Sequence, residues 1–219
     1  MTAAKTILLS LLLTGFVSAE PVKEHHEAAV LFKEKCAQCH GSKAEGNAML
    51  KTPTLASQSS IYLGEQLKKF KEGVRGRDSK SDAVAHLMAQ QVKNLSQKQI
   101  DQLTLYLSSL KAPAIKEENK QAAQRGKVLY HKKANCTSCH GLYAEGNDTM
   151  KAPKLNILSA AYIEASLKKF ARGQRAGVKV KDHMGDLMVK VINDYSLTEK
   201  DFKDLSHYIS GLKPKNLKE

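Results

Sequence analysis

The chain has 219 residues, and 35 lysine and arginine residues against 22 acidic residues give it a net charge of +13. Such a basic balance can indicate nucleic-acid binding, but no nucleic-acid motif is present and the N-terminus is typical of an exported protein. We therefore expect redox or other protein partners with acidic faces, or peripheral association with an anionic membrane, and no nucleic acid.

The first 19 residues have the pattern of a signal peptide. Lys5 precedes a short apolar run over residues 7–13, and small residues lead up to Ala19. The run is too short for a good membrane span, and no later segment is apolar enough to cross a membrane. We expect cleavage after about Ala19 and a periplasmic location. The mature charge is then +12, because Lys5 is the one charged residue removed.

A Cys-x-x-Cys-His motif occurs twice, over residues 36–40 and 136–140. This is the attachment sequence of haem c, in which two thiols bond to the haem vinyl groups and the adjacent histidine binds the iron. A zinc site built from the cysteines would leave both histidines unexplained. The two motifs use every cysteine in the chain, namely Cys36, Cys39, Cys136 and Cys139.

Apolar spacing predicts helices and no confident strand. A first helix is expected from about Glu27 into the first motif, then a polar loop over residues 41–57, and then a second helix over residues 60–71. Ser96 and Gln99 form a predicted capping box for the last helix of this half. Its apolar stripe consists of Ile100, Leu103, Leu107 and Leu110.

A linker separates two halves of similar size. Pro113 stops the preceding helix, and the polar residues after it predict a linker over residues 112–120. The expected domains are residues 20–111 and 121–213, followed by a tail over 214–219. Thr198 is the predicted cap of the final helix, whose stripe consists of Phe202, Leu205, Ile209 and Leu212.

The two halves repeat one unit. Ala-Glu-Gly-Asn at residues 44–47 returns at 144–147, and Leu-Lys-Lys-Phe at residues 67–70 returns at 167–170. The offset of 100 becomes 98 before the first motif and 102 near the end, so small insertions distinguish the halves. Each half is long enough for a small domain in which haem supplies much of the core.

Over nearly the whole mature chain, these motifs resemble the dihaem cytochrome c4 family. The resemblance rests on Gly-Asn after the haem motif, then Pro-x-Leu, then the Leu-Lys-Lys-Phe helix. It implies an all-α fold of two tandem class I cytochrome c domains, each wrapped around a covalently attached haem c. One departure is Ala28, which stands where the second half has Gly126. Alanine is expected to fit at this crossing of the first and last helices.

The motifs assign His40 and His140 as proximal iron ligands, and an electron-transfer haem normally has a sixth ligand. Family spacing favours Met88 in the first half. The second half offers Met184 and Met188, and the repeat offset favours Met188. The resemblance also implies that the carbonyls of two prolines orient the proximal histidines. These second-shell candidates are Pro53 and Pro153.

Other recurring residues leave alternatives open. His86 and His183 would make bis-histidine haems, although neither recurs in the other half, and Met49 and Met150 are expected to pack in loops. Arg75 and Arg175 would contact haem propionates or lie on a solvated face, and Tyr62 and Tyr162 are expected to pack. Basic residues around the second helix of each half predict a docking face, formed by Lys68, Lys69, Lys71, Arg75, Arg77, Lys168, Lys169, Arg172 and Arg175.

These features predict a soluble periplasmic electron carrier, not an enzyme. It would take one electron per haem from a quinol-oxidising complex or dehydrogenase and deliver it to a terminal oxidase or reductase. One alternative is a dihaem peroxidase or thiosulfate dehydrogenase, which needs an open iron or a cysteine ligand. Another is the cytochrome subunit of a flavocytochrome c sulfide dehydrogenase.

Overall fold

The computed structural model describes residues 20–114, 119–176 and 182–213. The predicted signal peptide, the tail over 214–219 and linker residues 115–118 lie outside these ranges. Over the described residues the secondary structure is helical, apart from isolated bridges between Asn47 and Thr52 and between Asn147 and Ala152. The predicted all-α fold is confirmed.

The helices follow the same order in both halves. The described first half contains α1 (Glu20–Lys35), α2 (Ala37–His40), α3 (Ser60–Lys71), α4 (Ala83–Val92) and α5 (Gln97–Ser109). The described second half contains α6 (Lys120–Val128), a π-helical segment (Leu129–Lys133), α7 (Thr137–His140), α8 (Ala160–Ala171), α9 (His183–Asp194) and α10 (Glu199–Ser210).

Polar caps fix where several helices begin. The Ser96–Gln99 capping box forms at α5 as predicted, and Thr198 forms a second box with Asp201 at α10. Helix α3 spans the predicted residues, whereas α1 begins at Glu20, well before the predicted start. Helices α4 and α9, which are capped by aspartates, were not predicted.

Each half encloses its own hydrophobic core. In the first half the core includes Phe32, Leu63, Leu67, Ile100, Leu103 and Leu107. In the second half it includes Tyr130, Ile163, Leu167, Phe202, Leu205 and Ile209. These sets match at the repeat offsets, so both halves bury the same faces of their helices.

Two insertions account for the changing offset. Before the second haem motif, the π-helical segment and the left-handed Asn135 (φ 47°) take up two residues that the first half lacks. Near the end, α9 has 12 residues where α4 has 10. The haem motifs and cores of the two halves therefore stay equivalent.

Candidate haem sites

Each Cys-x-x-Cys-His motif folds into a single helical turn. Cys36 directly precedes α2, and Cys136 directly precedes α7. Residues three and four apart on a helix share one face, so the first thiol of each motif lies near both the second thiol and the histidine. Burial raises the pKa of Cys36 and that of Cys136 to about 11, so both thiols are protonated at neutral pH.

The motif histidines are buried and oriented by backbone carbonyls. Nδ1 of His40 lies 3.1 Å from the carbonyl oxygen of Pro53, and Nδ1 of His140 lies 3.2 Å from that of Pro153. A carbonyl only accepts, so Nδ1 carries the proton and Nε2 is left to bind a metal. Burial, opposed by these hydrogen bonds, lowers the pKa of both histidines and favours the neutral imidazole.

A cavity of about 160 Å³ opens beside the second motif. Both motif thiols and His140 line it, together with Met184 and Met188 from α9. Most of the other lining side chains are apolar. Two thiols, an imidazole, a thioether and apolar walls are the groups that a covalently attached haem requires, so the residues present fit this cofactor.

The methionines assigned as sixth ligands occupy equivalent places. Met88 packs against the first core and Met188 against the second, and both are partly buried. Met184 lies one turn before Met188 on the same cavity wall. Its counterpart in the first half is Val84, which is 51% exposed, so the repeat supplies no equivalent of Met184.

The remaining sulfur and imidazole candidates lie elsewhere. Nδ1 of His86 lies 2.9 Å from the carbonyl oxygen of Gly76, and His183 is exposed at the start of α9. The prediction that Met49 packs in its loop is wrong, because Met49 is 90% exposed. Met150, which matches Leu50 at the offset of 100, is half-buried.

The recurring tyrosines and arginines meet where the two halves touch. The Arg175 guanidinium donates to Tyr62 Oη at 2.7 Å, and the Arg75 guanidinium, which donates to Gln66 at 2.5 Å, lies near Tyr162. Each guanidinium also lies over a phenylalanine ring of its own half. The solvated-face alternative for Arg175 is therefore wrong, since only 9% of its surface is exposed.

The arginine pair concentrates positive charge at the contact between the halves, with Arg175 buried and Arg75 half-buried. Burial and the Arg175 charge lower the pKa of Arg75 to about 10, which leaves its guanidinium charged at neutral pH. Within the described ranges, neither arginine lies within 4.0 Å of a carboxylate, although, against the effect of burial, the more distant Asp182 helps to raise the pKa of Arg175. Arg175 also lines the second cavity. This pair can therefore accept an anion.

The prediction of a basic docking face is also wrong for two of its lysines, because they form ion pairs with the other half. Lys69 Nζ lies 2.6 Å from Asp182 of the second half, and Lys169 Nζ lies 2.8 Å from Asp82 of the first. Sequence reasoning missed both aspartates. They recur at the offset of 100, and that repetition was the signal that could have identified them.

A further contact joins the halves on one side only. Ser59 Oγ donates to Asp148 at 2.5 Å, and the Gln58 side chain bonds both backbone polar groups of Lys154. The equivalent loop of the first half has Ala48 and Thr54 in place of Asp148 and Lys154. The loops that follow the two haem motifs are thus similar in sequence but make different contacts with the opposite half.

Among the described residues, no helix is both long and apolar enough to cross a membrane. A family model for cytochrome c matches residues 26–111 and 123–213. Cytochrome c4 of Azotobacter vinelandii is 31% identical over 220 residues, which cover 96% of this chain and 98% of that protein.

Two further proteins are similar. A thiosulfate dehydrogenase electron acceptor of Thiomonas intermedia (strain K12) is 37% identical over 151 residues, which cover 65% of each chain. The crystal structure of reduced recombinant cytochrome c4 from Pseudomonas stutzeri superposes with a TM-score of 0.70 at 28% identity. That match covers 88% of this chain and 98% of the other.

Proposed function

Because the chain belongs to the dihaem cytochrome c4 family, with two covalently bound haem c groups, we propose that it carries single electrons between periplasmic respiratory partners. The donors would be a quinol-oxidising complex or a dehydrogenase, and the acceptor a terminal oxidase or reductase. The observation that supports this most strongly is the duplicated donor set, in which each half pairs an oriented, buried histidine with a core-packed methionine.

In this proposal Cys36 and Cys39 bind the first haem covalently, and Cys136 and Cys139 bind the second. His40 and Met88 would hold the first iron, and His140 and Met188 the second. Each bound haem would supply one-electron chemistry, and a thioether ligand would favour the ferrous state. Pro53 and Pro153 hold the histidines in one orientation and raise the basicity of Nε2.

We assign Arg75 and Arg175 to the haem propionates. Two neighbouring cations repel, and burying the Arg175 guanidinium without a close counter-ion is costly. Propionates are anions belonging to the cofactor that this cavity fits, and Arg175 lies on the cavity wall. This assignment explains why two basic residues recur at the contact between the halves without carboxylate partners among the described residues.

Stopped-flow mixing of the reduced protein with host membranes containing a terminal oxidase tests the carrier role. A carrier is oxidised rapidly and transfers one electron per haem. An enzyme with an open iron would instead turn over peroxide or thiosulfate by itself. Such turnover by the purified chain would reject the carrier proposal in favour of the enzyme alternative.

A second candidate concerns the donor. The similarity to a thiosulfate dehydrogenase electron acceptor supports a role as acceptor for an enzyme of that class. Mixing the oxidised protein with a thiosulfate dehydrogenase and thiosulfate then reduces both haems, whereas thiosulfate alone does not. Co-purification with a flavoprotein would favour the sulfide dehydrogenase subunit instead.

We further propose that partners dock on the first half. Cys39 is exposed, whereas Cys139 is half-buried. Thr52 Oγ1 donates a hydrogen bond to the Cys39 carbonyl at 2.6 Å. This bond holds the loop with Met49 beside the attachment motif. In the matching loop of the second half, Lys154 and Asp148 bond Gln58 and Ser59 of the first half, and Thr149 replaces the exposed methionine.

Exposed lysines surround the open loop. Lys43 and Lys51 lie on either side of Met49 and Leu50 in the sequence, and all four are exposed. An apolar tip with cationic neighbours suits a redox partner that has an apolar recess and an acidic rim. This surface replaces the predicted basic face, part of which is used between the halves.

A further inference from the structure

The helices that bear the candidate sixth ligands begin at aspartate caps. Asp82 accepts from the Ala85 amide at 3.0 Å at the start of α4, which carries Met88. Asp182 accepts from the Gly185 amide at 2.9 Å at the start of α9, which carries Met188. A cap satisfies an amide that the helix itself cannot bond, so it fixes where the helix begins.

Each cap carboxylate receives its cation from the opposite half. The Lys69–Asp182 and Lys169–Asp82 ion pairs are 2.6 and 2.8 Å long, and the aspartate side chains are 4% and 8% exposed. A buried carboxylate depends on its partner, because an unpaired charge in such a place is strongly disfavoured. Each capped helix is therefore fixed partly by a lysine from the other half.

We propose that Lys69 and Lys169 are positioning residues that act across the contact, each holding the methionine helix of the opposite half. This rests on the proposed function, in which Met88 and Met188 bind iron. The proximal ligand of each haem comes from a motif within its own half. Distal ligation, in contrast, depends on the contact between halves, so the integrity of that contact sets the affinity of each methionine for its iron.

The neighbouring groups support this arrangement. Gln174 of the second half donates to the Ser81 carbonyl at 2.6 Å, next to Asp82. At the other cap, a Cβ added to Gly185 would lie 2.6 Å from Cβ of Ala176, so the start of α9 packs closely against Ala176 of its own half. The Asp82 cap is thus enclosed further by the opposite half, whereas the Asp182 cap is also held by packing within its own half.

The test compares Lys69→Gln with Lys169→Gln in the holoprotein, with carbon monoxide binding and the reduction potential of each haem as readouts. Second-shell changes typically weaken ligation about tenfold or more. Lys69→Gln should therefore speed carbon monoxide binding at the second-half haem by about tenfold or more and lower its potential. Lys169→Gln should do the same at the first-half haem, and Lys69→Arg should restore the behaviour of the unmodified protein.

Lys68→Gln is the matched control, because Lys68 is exposed and pairs only distantly with Glu72 of its own helix. Amide hydrogen exchange gives a second readout that does not depend on the iron ligand. Lys69→Gln should accelerate exchange in α9 and leave α4 unchanged. The proposal is overturned if Lys69→Gln affects only its own half, if both haems change equally, or if exchange in α9 is unaltered.

If exchange in α9 accelerates but Met188→Ala opens no iron, the anchoring is real while the proposed ligand is wrong. In that case the proposal that Lys69 positions an iron ligand is rejected together with the assignment of Met188. If Met188→Ala opens the second iron and Lys69→Gln changes neither readout, the proposed function stands and the positioning role is rejected.

Discussion

The backbone of Gly126 in α6 lies against the carbonyl of Asp204 in α10, and a Cβ at Gly126 would be 2.1 Å from that oxygen. The matching crossing of α1 and α5 has Ala28, which is 1% exposed. Helices α6 and α10 thus approach too closely to leave room for a methyl group between them. Helices α1 and α5 leave room for the methyl group of Ala28.

Gly126→Ala should destabilise the second half. Inserting a methyl into a filled contact costs about 1–3 kcal/mol, because the helices must separate. Denaturant unfolding followed by circular dichroism measures this. Ala28→Gly, the reverse change, should destabilise the first half by about 1 kcal/mol, through greater chain entropy. Full stability of Gly126→Ala would show that the crossing is not as close as described.

Asp204 should make the second half sensitive to acid. Its hydrogen bonds from Arg125, opposed by burial and assisted by Lys200, hold its pKa below the ordinary 3.8. The unfolded state therefore binds a proton first as the pH falls. The contribution of Asp204 to folding stability is complete above the aspartate pKa of the unfolded state. It is lost as the pH falls through the lower pKa of the folded state.

The control for this prediction is Asp204→Gln, which installs the residue found at the matching position, Gln102. At neutral pH this variant should be less stable than the unmodified protein in denaturant unfolding. The difference should shrink as the pH falls below the ordinary aspartate pKa. A constant difference across this range would mean that the charge of Asp204 does not contribute.

Met88→Ala and Met188→Ala should each open one iron. Loss of the thioether lowers the potential of that haem and lets carbon monoxide bind, while the other haem is unchanged. Spectroelectrochemistry and carbon monoxide titration measure both effects. Met184→Ala is the matched control one turn away on the same cavity wall. If it opens the second iron and Met188→Ala does not, the assignment within α9 is wrong.

Met49→Asp should slow electron transfer to the acceptor, because it places a charge on the apolar tip of the proposed docking face. Leu105→Asp is the control, since Leu105 is also exposed (64%) but lies on α5. The rate of the unmodified protein should also fall with added salt, because exposed charges are screened over about 8 Å at physiological ionic strength. Equal effects of both substitutions would contradict docking at this loop.

Much of the fold followed from local pattern. The repeat separated the halves, and the cap at Ser96 and the apolar stripes located α3, α5 and α10. Helices α4 and α9 were not predicted. Few of their described residues are buried against protein, namely Ala85, Val92, Gly185 and Ile192. The apolar stripe of α9 faces the cavity instead, and its helical spacing was a signal in the sequence that was missed: Met184, Leu187, Met188 and Val191.

The contact between halves could not be predicted from charge spacing. Lys68 and Lys69 are adjacent and chemically identical, yet one is exposed and the other pairs with Asp182. Sequence spacing assigns both to the end of one helix but does not say what lies opposite. The clue was the joint recurrence of Lys69 and Asp82 at the same offset, because a contact with approximate two-fold symmetry requires both to repeat.

The most direct test of the central claim is a spectroelectrochemical titration of the mature protein, with its haem content fixed by mass spectrometry of the denatured chain. Two covalent haems that titrate as two one-electron components are expected. Both should have the spectrum of histidine–methionine ligation, and neither should bind carbon monoxide readily. A single haem, or a component whose iron is open in the unmodified protein, would contradict that claim.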